Sequence, residues 1–408
     1  MGLQHLPRQL ARAVMERCDA LGRISDEAGV LTRTFLSPAM RRCNETVASW
    51  MRSAGAEVRE DAVFNLIGRW PSANPKAKTL LLGSHLDTVR NAGKYDGPLG
   101  VLVALAAVEK LRGARTALPF HLEVIGFADE EGARFQTTYL GSRALAGTLT
   151  ARDLDRIDSA GIALRDSGIG DIKTARRKRS EMLAYAEVHI EQGPVLEADR
   201  SALGVVSAIA GQTRSRLTFT GRAAHAGTTP MNLREDALCG AAEFILAAEN
   251  FARSGLLATV GAVQVAPGVS NVIPAEVALT LDIRHARDAL RIDACRRLRR
   301  SAEQIAARRK LRVKWSVLQD TGTVDGDDTL TKMMRASVRA VQKRARLLPS
   351  GAGHDAAALS ALCPVTMLFV RCKKGVSHHP DESVTEPDVA RAIAALSDFI
   401  LRLKSERE

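Results

Sequence analysis

The chain is expected to be an α/β protein: a mixed, largely parallel sheet covered by helices, with a smaller α+β domain inserted into it. Three observations lead there. Between residues 79 and 127 two short apolar runs flank a helical pattern, the strand–helix–strand order of a parallel sheet. From about residue 212 the pattern changes to strict apolar/polar alternation, the mark of strands covered on one face. The length of 408 residues is also more than one core usually fills, so two or three domains are expected.

In chain order, Thr79–Gly83 and Leu122–Phe127 read as strands, and Leu99–Leu111 as the helix between them. Both strands run into polar clusters: Ser84-His85-Leu86-Asp87 after the first, Asp129-Glu130-Glu131 after the second. In open α/β sheets, ligand sites form beyond the carboxyl ends of strands, so the two clusters can face one pocket. The inserted domain follows. It holds an alternating strand around Leu217 and Phe219, a helix over about 235–254 and a strand ending near Val265. A strand through Val277, Leu279, Leu281 and Ile283, a basic helix over about 286–309 and a strand over Arg312–Val317 complete it. The expected domains are therefore 1–211 with 327–408, and 212–326.

Composition narrows the function. With 46% hydrophobic and 25% charged residues, the chain is neither disordered, nor collagen-like, nor a long coiled coil. The net charge of +12 is concentrated in short runs such as Arg176–Arg179 and Arg296–Arg300. Aromatics make up only 4% and are not interleaved with these runs, which argues against a base-stacking nucleic-acid surface. The runs read as solvated helix faces or loops. The six cysteines form no C-x-x-C pair, so reduced thiols are expected rather than a disulfide framework or a zinc knuckle. The N-terminal 24 residues lack an apolar h-region, and Leu6 breaks the myristoylation pattern that Met1-Gly2 begins. The longest apolar stretch, Val101–Val108, falls well short of the ~20 residues of a membrane span. A cytoplasmic protein with no membrane or nucleic-acid partner is expected.

Seven of the nine histidines, among them His85, His189, His225 and His378, lie in segments dense with Gly, Pro or acidic residues. Asp96 stands in a turn at a helix start and Glu130-Glu131 at a strand end. Imidazole with carboxylate is a ligand set for Zn²⁺, Mn²⁺ or Ni²⁺, and a carboxylate left over can act as a base. Taken singly, each of these residues has an ordinary reading as a structural histidine, a helix-start charge pair or a turn.

Six motifs in order change that weighting: Gly83–Val89, Gly93–Gly97, Asp129–Phe135, His189–Pro194, Gly221–Gly227 and Ser377–Pro380. Together they resemble the hydantoinase/carbamoylase amidase family of dinuclear metallohydrolases. Its members include allantoate amidohydrolases, N-carbamoyl-L-amino-acid hydrolases and β-ureidopropionases. The resemblance implies a catalytic domain holding two divalent metal ions, Zn or Mn, and a lid domain that also forms a homodimer. It implies His85, Asp96 and His189 as ligands of one metal and Asp96, Glu131 and His378 as ligands of the other. It makes Glu130 the general base and Asp87 the carboxylate that orients the His85 imidazole. His379, next to His378, competes for that ligand role. His225 resembles the residue that stabilises the oxyanion, contributed by the partner subunit. Arg284 resembles the arginine that takes the substrate carboxylate, and Gln192 and Asn271 the amides that fix the ureido acid. Gly353-His354-Asp355 resembles a pocket-lining segment without an assigned role. Asn91–Gly97 and Phe135–Ser142 look closer to allantoate amidohydrolases than to carbamoylases. A ligand- or nucleic-acid-binding protein without activity is the other class considered. It is disfavoured because every metal and base position is filled.

Overall fold

The computed structural model describes residues 7–252 and 256–406. The readings on Met1, Gly2 and Leu6, and the helix end expected at Ser254, lie outside the described residues. The strands are, in chain order, β1 (Glu57–Glu60), β2 (Leu66–Trp70), β3 (Thr79–His85), β4 (His121–Phe127), β5 (Met182–Ile190), β6 (Leu203–Ile209) and β7 (Gly211–Thr220). They continue with β8 (Leu257–Ala266), β9 (Glu276–His285), β10 (Arg312–Thr321), β11 (Val324–Asp325), β12 (Arg346–Ser350) and β13 (Val365–Val370).

The chain divides into two compact units, one of residues 1–207, 326–348 and 352–408, the other of 208–325 and 349–351. In the first, the strand order is β1-β2-β4-β3-β5-β13-β6. The central four strands run parallel, while β1–β2, β2–β4 and β13–β6 are antiparallel, so the sheet is mixed and largely parallel. Every residue of β3, β4, β5 and β13 is buried, as expected of strands covered on both faces. The helix Pro98–Gly113 crosses between β3 and β4 and is apolar around most of its circumference. Gly100 lets it lie directly on the sheet, because a Cβ there would meet the Val188 carbonyl at 2.0 Å. Burying one of its leucines, such as Leu102, contributes roughly 1.5–3 kcal/mol, which a polar residue there would forfeit.

The second unit is a four-stranded antiparallel sheet, ordered β10-β7-β9-β8. Alternating residues of β7 and β9 point into a core of Leu217, Phe219, Leu279, Leu281 and Ile283, packed against Phe244 and Leu298 of two helices. Those helices are Ala237–Ala252 and Asp288–Arg308. The latter buries Ala294, Leu298, Ala302 and Ile305, while Arg296, Arg297 and Arg299 lie on the surface, paired with Asp293 or Glu303. That basic run is a solvated helix face. No helix among the described residues is long and apolar enough to cross a membrane.

Candidate metal centre and active site

The carboxyl ends of β3, β4 and β5 deliver His85, the Asp129–Glu131 turn and His189 to one place, and the turn before the helix Pro98–Gly113 adds Asp96. Asp96 is buried, and its two oxygens serve different neighbours. Oδ1 lies 3.7 Å from His85 Nε2 and 3.1 Å from His189 Nε2. Oδ2 lies 3.0 Å from His378 Nε2, which is also 3.3 Å from Glu131 Oε1. Two sets of ligand-type atoms result, His85/Asp96/His189 and Asp96/Glu131/His378, with all atoms of each set within 4.8 Å of one another.

The outer ring nitrogens are already used. His85 Nδ1 lies 3.1 Å from the main-chain carbonyl of Asp87, and His189 Nδ1 2.9 Å from that of Ile190, which leaves each Nε2 lone pair facing inward. The Asp87 carboxylate is 3.6 Å from His85 Nδ1, so its carbonyl makes the hydrogen bond. The carboxylate itself accepts the main-chain N–H groups of Glu130 and Glu131, both at 3.1 Å. Asp87 thus ties the imidazole to the turn that carries the two glutamates.

Backbone conformation is specialised here. Asp129, Gln192 and His378 have φ of 51°, 56° and 55°, a left-handed region that non-glycine residues seldom occupy and that is often held at functional sites. At Gly97 (φ 80°) a Cβ would lie 2.5 Å from the His85 ring, so only glycine lets the Asp96 turn approach the imidazole. His379 instead faces outward, with Nδ1 accepting from the Asp381 N–H at 3.2 Å. His378 is therefore the histidine that reaches Asp96.

Charge shifts follow the geometry. Burial alone would raise the Asp96 carboxyl, but hydrogen bonds from His189, His378 and His85 hold it well below the usual range. Hydrogen bonds to Asp96 and Glu131 push His378 up to about 10. Glu130, 7% exposed, is raised well above the carboxylate range, first by burial and then by neighbouring acids including Glu131 and Asp355. The cluster therefore stabilises positive charge between its carboxylates and keeps one glutamate ready to hold a proton.

Several participants carried no assigned role in the sequence. Ser377 Oγ donates to Asp96 Oδ2 at 3.0 Å, and Glu382 accepts the main-chain N–H groups of Tyr95 and Asp96 at 2.7 and 3.0 Å. Their signal was proximity to His378, four residues or fewer away. Gln192, which the resemblance makes an amide that fixes the ureido acid, donates from Nε2 to Asp96 Oδ2 at 3.0 Å and to Ser377 Oγ at 3.1 Å, so in this arrangement its amide grips the carboxylate. His354 is buried and packs edge-on against His189, ring centroids 4.5 Å apart, and burial holds it neutral. Asp355 accepts from Ser142 Oγ at 2.5 Å, and burial raises its carboxyl well above the usual range.

The second unit holds His225, Asn271 and Arg284. His225 pairs with Val272 across an antiparallel bridge, and the Ala226 N–H donates to the Asn271 carbonyl at 2.9 Å, so His225 and Asn271 belong to one ribbon. His225 is exposed. Its Nδ1 accepts the Gly227 N–H at 3.1 Å, which in the neutral ring places the proton on Nε2. Arg284 meets Asp282 through Nε (3.0 Å) and Nη2 (2.8 Å), and Nη1 donates to the Gly351 carbonyl at 2.6 Å. Asp282 also takes Gln212 and Arg214, so two arginines share one carboxylate and a positive charge is left over.

Arg284 and His225 are not neighbours within a chain. Arg284 pairs with Gln212 at one end of β9 and Glu276 with Thr220 at the other, and His225 lies beyond that second end. At ~3.4 Å per residue, Glu276 to Arg284 spans roughly 27 Å.

A parallel-sheet domain with imidazoles and carboxylates converging on one aspartate defines a class of hydrolase whose sites are built for metal ions. The chain belongs to the peptidase family M20/M25/M40, whose profile matches residues 81–402. It is 39% identical to the allantoate deiminase of Arabidopsis thaliana, an alignment covering 94% of this chain and 81% of that one. It is 40% identical to the N-carbamoyl-L-amino acid amidohydrolase of Geobacillus stearothermophilus, covering 95% and 97%. Among solved structures, a hydantoinase/carbamoylase family amidase from Burkholderia multivorans superposes with a TM-score of 0.91 at 31% identity, covering 97% and 98%.

Proposed function

We propose that this chain is a metal-dependent amidohydrolase that cleaves the carbamoyl C–N bond of a linear ureido acid, allantoate first among the candidates; the carbamic acid so formed breaks down, and the products are ammonia, carbon dioxide and the amine that carried the carbamoyl group. The observation that carries the reading is the division of Asp96, whose Oδ1 faces His85 and His189 and whose Oδ2 faces His378, itself 3.3 Å from Glu131. Lone pairs of imidazole and carboxylate converge this closely only around a proton or a cation. The donor set and the inward Nε2 atoms fit two divalent ions, Zn or Mn, held by His85, Asp96 and His189 and by Asp96, Glu131 and His378. Such ions, when bound, supply Lewis acidity toward the scissile carbonyl and lower the pKa of water.

The protein's own groups do the rest. Glu130, buried beside His85 and Glu131, takes the proton of the attacking water and hands it to the leaving nitrogen. Asp87 keeps Glu130 aimed by holding its N–H. His225 Nε2–H donates to the oxygen that gains charge. The surplus charge around Asp282 draws the substrate carboxylate to Arg284, while Gln192 and Asn271 supply amide groups to the ureido chain.

The reading includes a homodimer in the cytoplasm. A single ureido acid is far shorter than the separation of Arg284 and His225 along one lid, so the two act on one substrate only if they come from different subunits. The edge strand β8, with Leu257 61% exposed, offers unpaired main-chain groups to a partner's lid. N-carbamoyl-L-amino acids are the second substrate class, because the 40% identical bacterial relative bears that activity in its name. The test is ammonia release by metal-loaded protein from allantoate, N-carbamoyl-L-amino acids and N-carbamoyl-β-alanine, with N-acetyl amino acids as the contrast. Hydrolysis of the N-acetyl compounds without ammonia from any ureido acid overturns the reading.

A further inference from the structure

Arg33 is the largest fully buried side chain among the described residues, and it brings a guanidinium cation inside the fold. A buried permanent charge is costly unless it is well compensated. Among the described residues Arg33 forms no ion pair with a carboxylate, and its Nη2 has no hydrogen-bond partner. Its bonds go to main chain instead. Nε donates to the Leu86 carbonyl at 2.8 Å, and Nη1 to the carbonyls of Leu21 and Ile24 at 2.9 and 3.1 Å. The Arg33 main chain continues the grip: its N–H donates to Thr88 Oγ1 at 2.9 Å and its carbonyl accepts the Thr88 N–H at 2.9 Å. Three bonds from one residue thus hold residues 86 and 88, on either side of Asp87.

We propose that Arg33 is a positioning residue for Asp87, clamping the 86–88 segment so that one aspartate can hold both the His85 imidazole and the turn bearing Glu130 and Glu131. The inference rests on the metal-site reading above and extends it to a residue that touches neither metal nor substrate. Asp87 does two jobs with different atoms: its carbonyl takes His85 Nδ1 at 3.1 Å, and its carboxylate takes two N–H groups at 3.1 Å. Both fail together if the peptide planes around residue 87 rotate. The Leu86 carbonyl and the Thr88 N–H belong to those flanking planes, so a cation on the one and a reciprocal main-chain pair on the other remove that freedom. A charged donor suits the task better than a neutral one, because charge-assisted hydrogen bonds are stronger. The competing account is that Arg33 only caps the helix Arg8–Gly22 through Leu21 and Ile24, a purely structural role.

A double-mutant cycle separates the two. Divalent-ion affinity is measured by chelator competition with Zn²⁺ and Mn²⁺ for the parent, Arg33→Lys, Asp87→Asn and the double variant, with circular dichroism confirming the fold. Binding by the parent checks the metal-site reading on its own. If Arg33 acts through Asp87, each single variant weakens affinity about 10-fold or more, the range typical of groups that orient metal ligands. The double variant is then within about twofold of Asp87→Asn alone. In turnover, Arg33→Lys lowers kcat while KM stays within about twofold. Thr88→Val, which removes only the side-chain acceptor of the Arg33 N–H at constant shape, enters the same cycle and decides it should Arg33→Lys not fold. Losses that multiply in the double variants, or a lowered melting temperature with parental metal affinity, overturn the proposal and leave Arg33 a helix cap.

Discussion

Replacing Glu130 and Glu131 one at a time by glutamine should separate two chemistries that adjacent carboxylates are easily imagined to share. Their main-chain N–H groups are both held by Asp87 at 3.1 Å, so an isosteric side-chain change leaves the turn in place in either variant. Glu131 Oε1 faces His378 Nε2 at 3.3 Å and belongs to the set with Asp96, whereas Glu130 is the more buried of the two and its carboxyl is pushed up by burial. Glu130→Gln then loses only a proton acceptor. Turnover should fall by roughly 10² to 10⁴, about 2.7–5.4 kcal/mol of barrier, with metal per chain equal to the parent. Glu131→Gln removes a negative charge from three ligand atoms and should lose one metal, and added Mn²⁺ or Zn²⁺ should restore part of its rate. The pH profile gives a second reading. A base must be ionised to act, so the parent's kcat/KM should show an acid limb that Glu130→Gln lacks. Metal analysis and ammonia release on both proteins decide it: a Glu130→Gln chain short of one metal, or a Glu131→Gln chain holding two, refutes the assignment.

Three further outcomes are expected. Arg284→Lys should weaken binding of ureido acids far more than of the matching neutral amides, since an ammonium cannot make two parallel bonds to a carboxylate; equal losses in a paired KM comparison would remove Arg284 from that role. Mixing inactive His225→Ala and Glu130→Gln chains should regenerate part of the activity in heterodimers, and none despite proven subunit exchange would mean that each site is built within one chain. Asp355→Asn tests the buried acid bonded to Ser142. Its folded-state pKa is raised by burial, so the parent loses stability as pH rises from the unfolded value of ~4, by up to roughly 1.4 kcal/mol per unit until the folded pKa is passed. Asparagine is neutral throughout and should flatten that decline in urea titrations run across pH, and an unchanged slope would show that Asp355 is ionised in the fold.

The sequence by itself determined the elements and the kind of chemistry. The mostly apolar runs at 79–83 and 122–127, on either side of a helical pattern, pointed to strands buried on both faces, and the period-two alternation at 277–283 to a strand covered on one, because side-chain periodicity is a local property of the backbone. The motif set likewise named the ligand-type residues, since imidazole and carboxylate advertise their chemistry wherever they stand. Their division of labour was not local. That Asp96 serves its neighbours through separate oxygens, that His378 and not His379 turns inward, and that Asp87 reaches His85 through its carbonyl are consequences of φ values and strand register across residues far apart in the chain. Arg33 is the clearest case. In the sequence it is one basic residue among 58, and only the tertiary structure shows a buried cation gripping the segment that holds Asp87. Burial and the direction of a hydrogen bond depend on what tertiary contacts bring near, and no pattern along the chain encodes them.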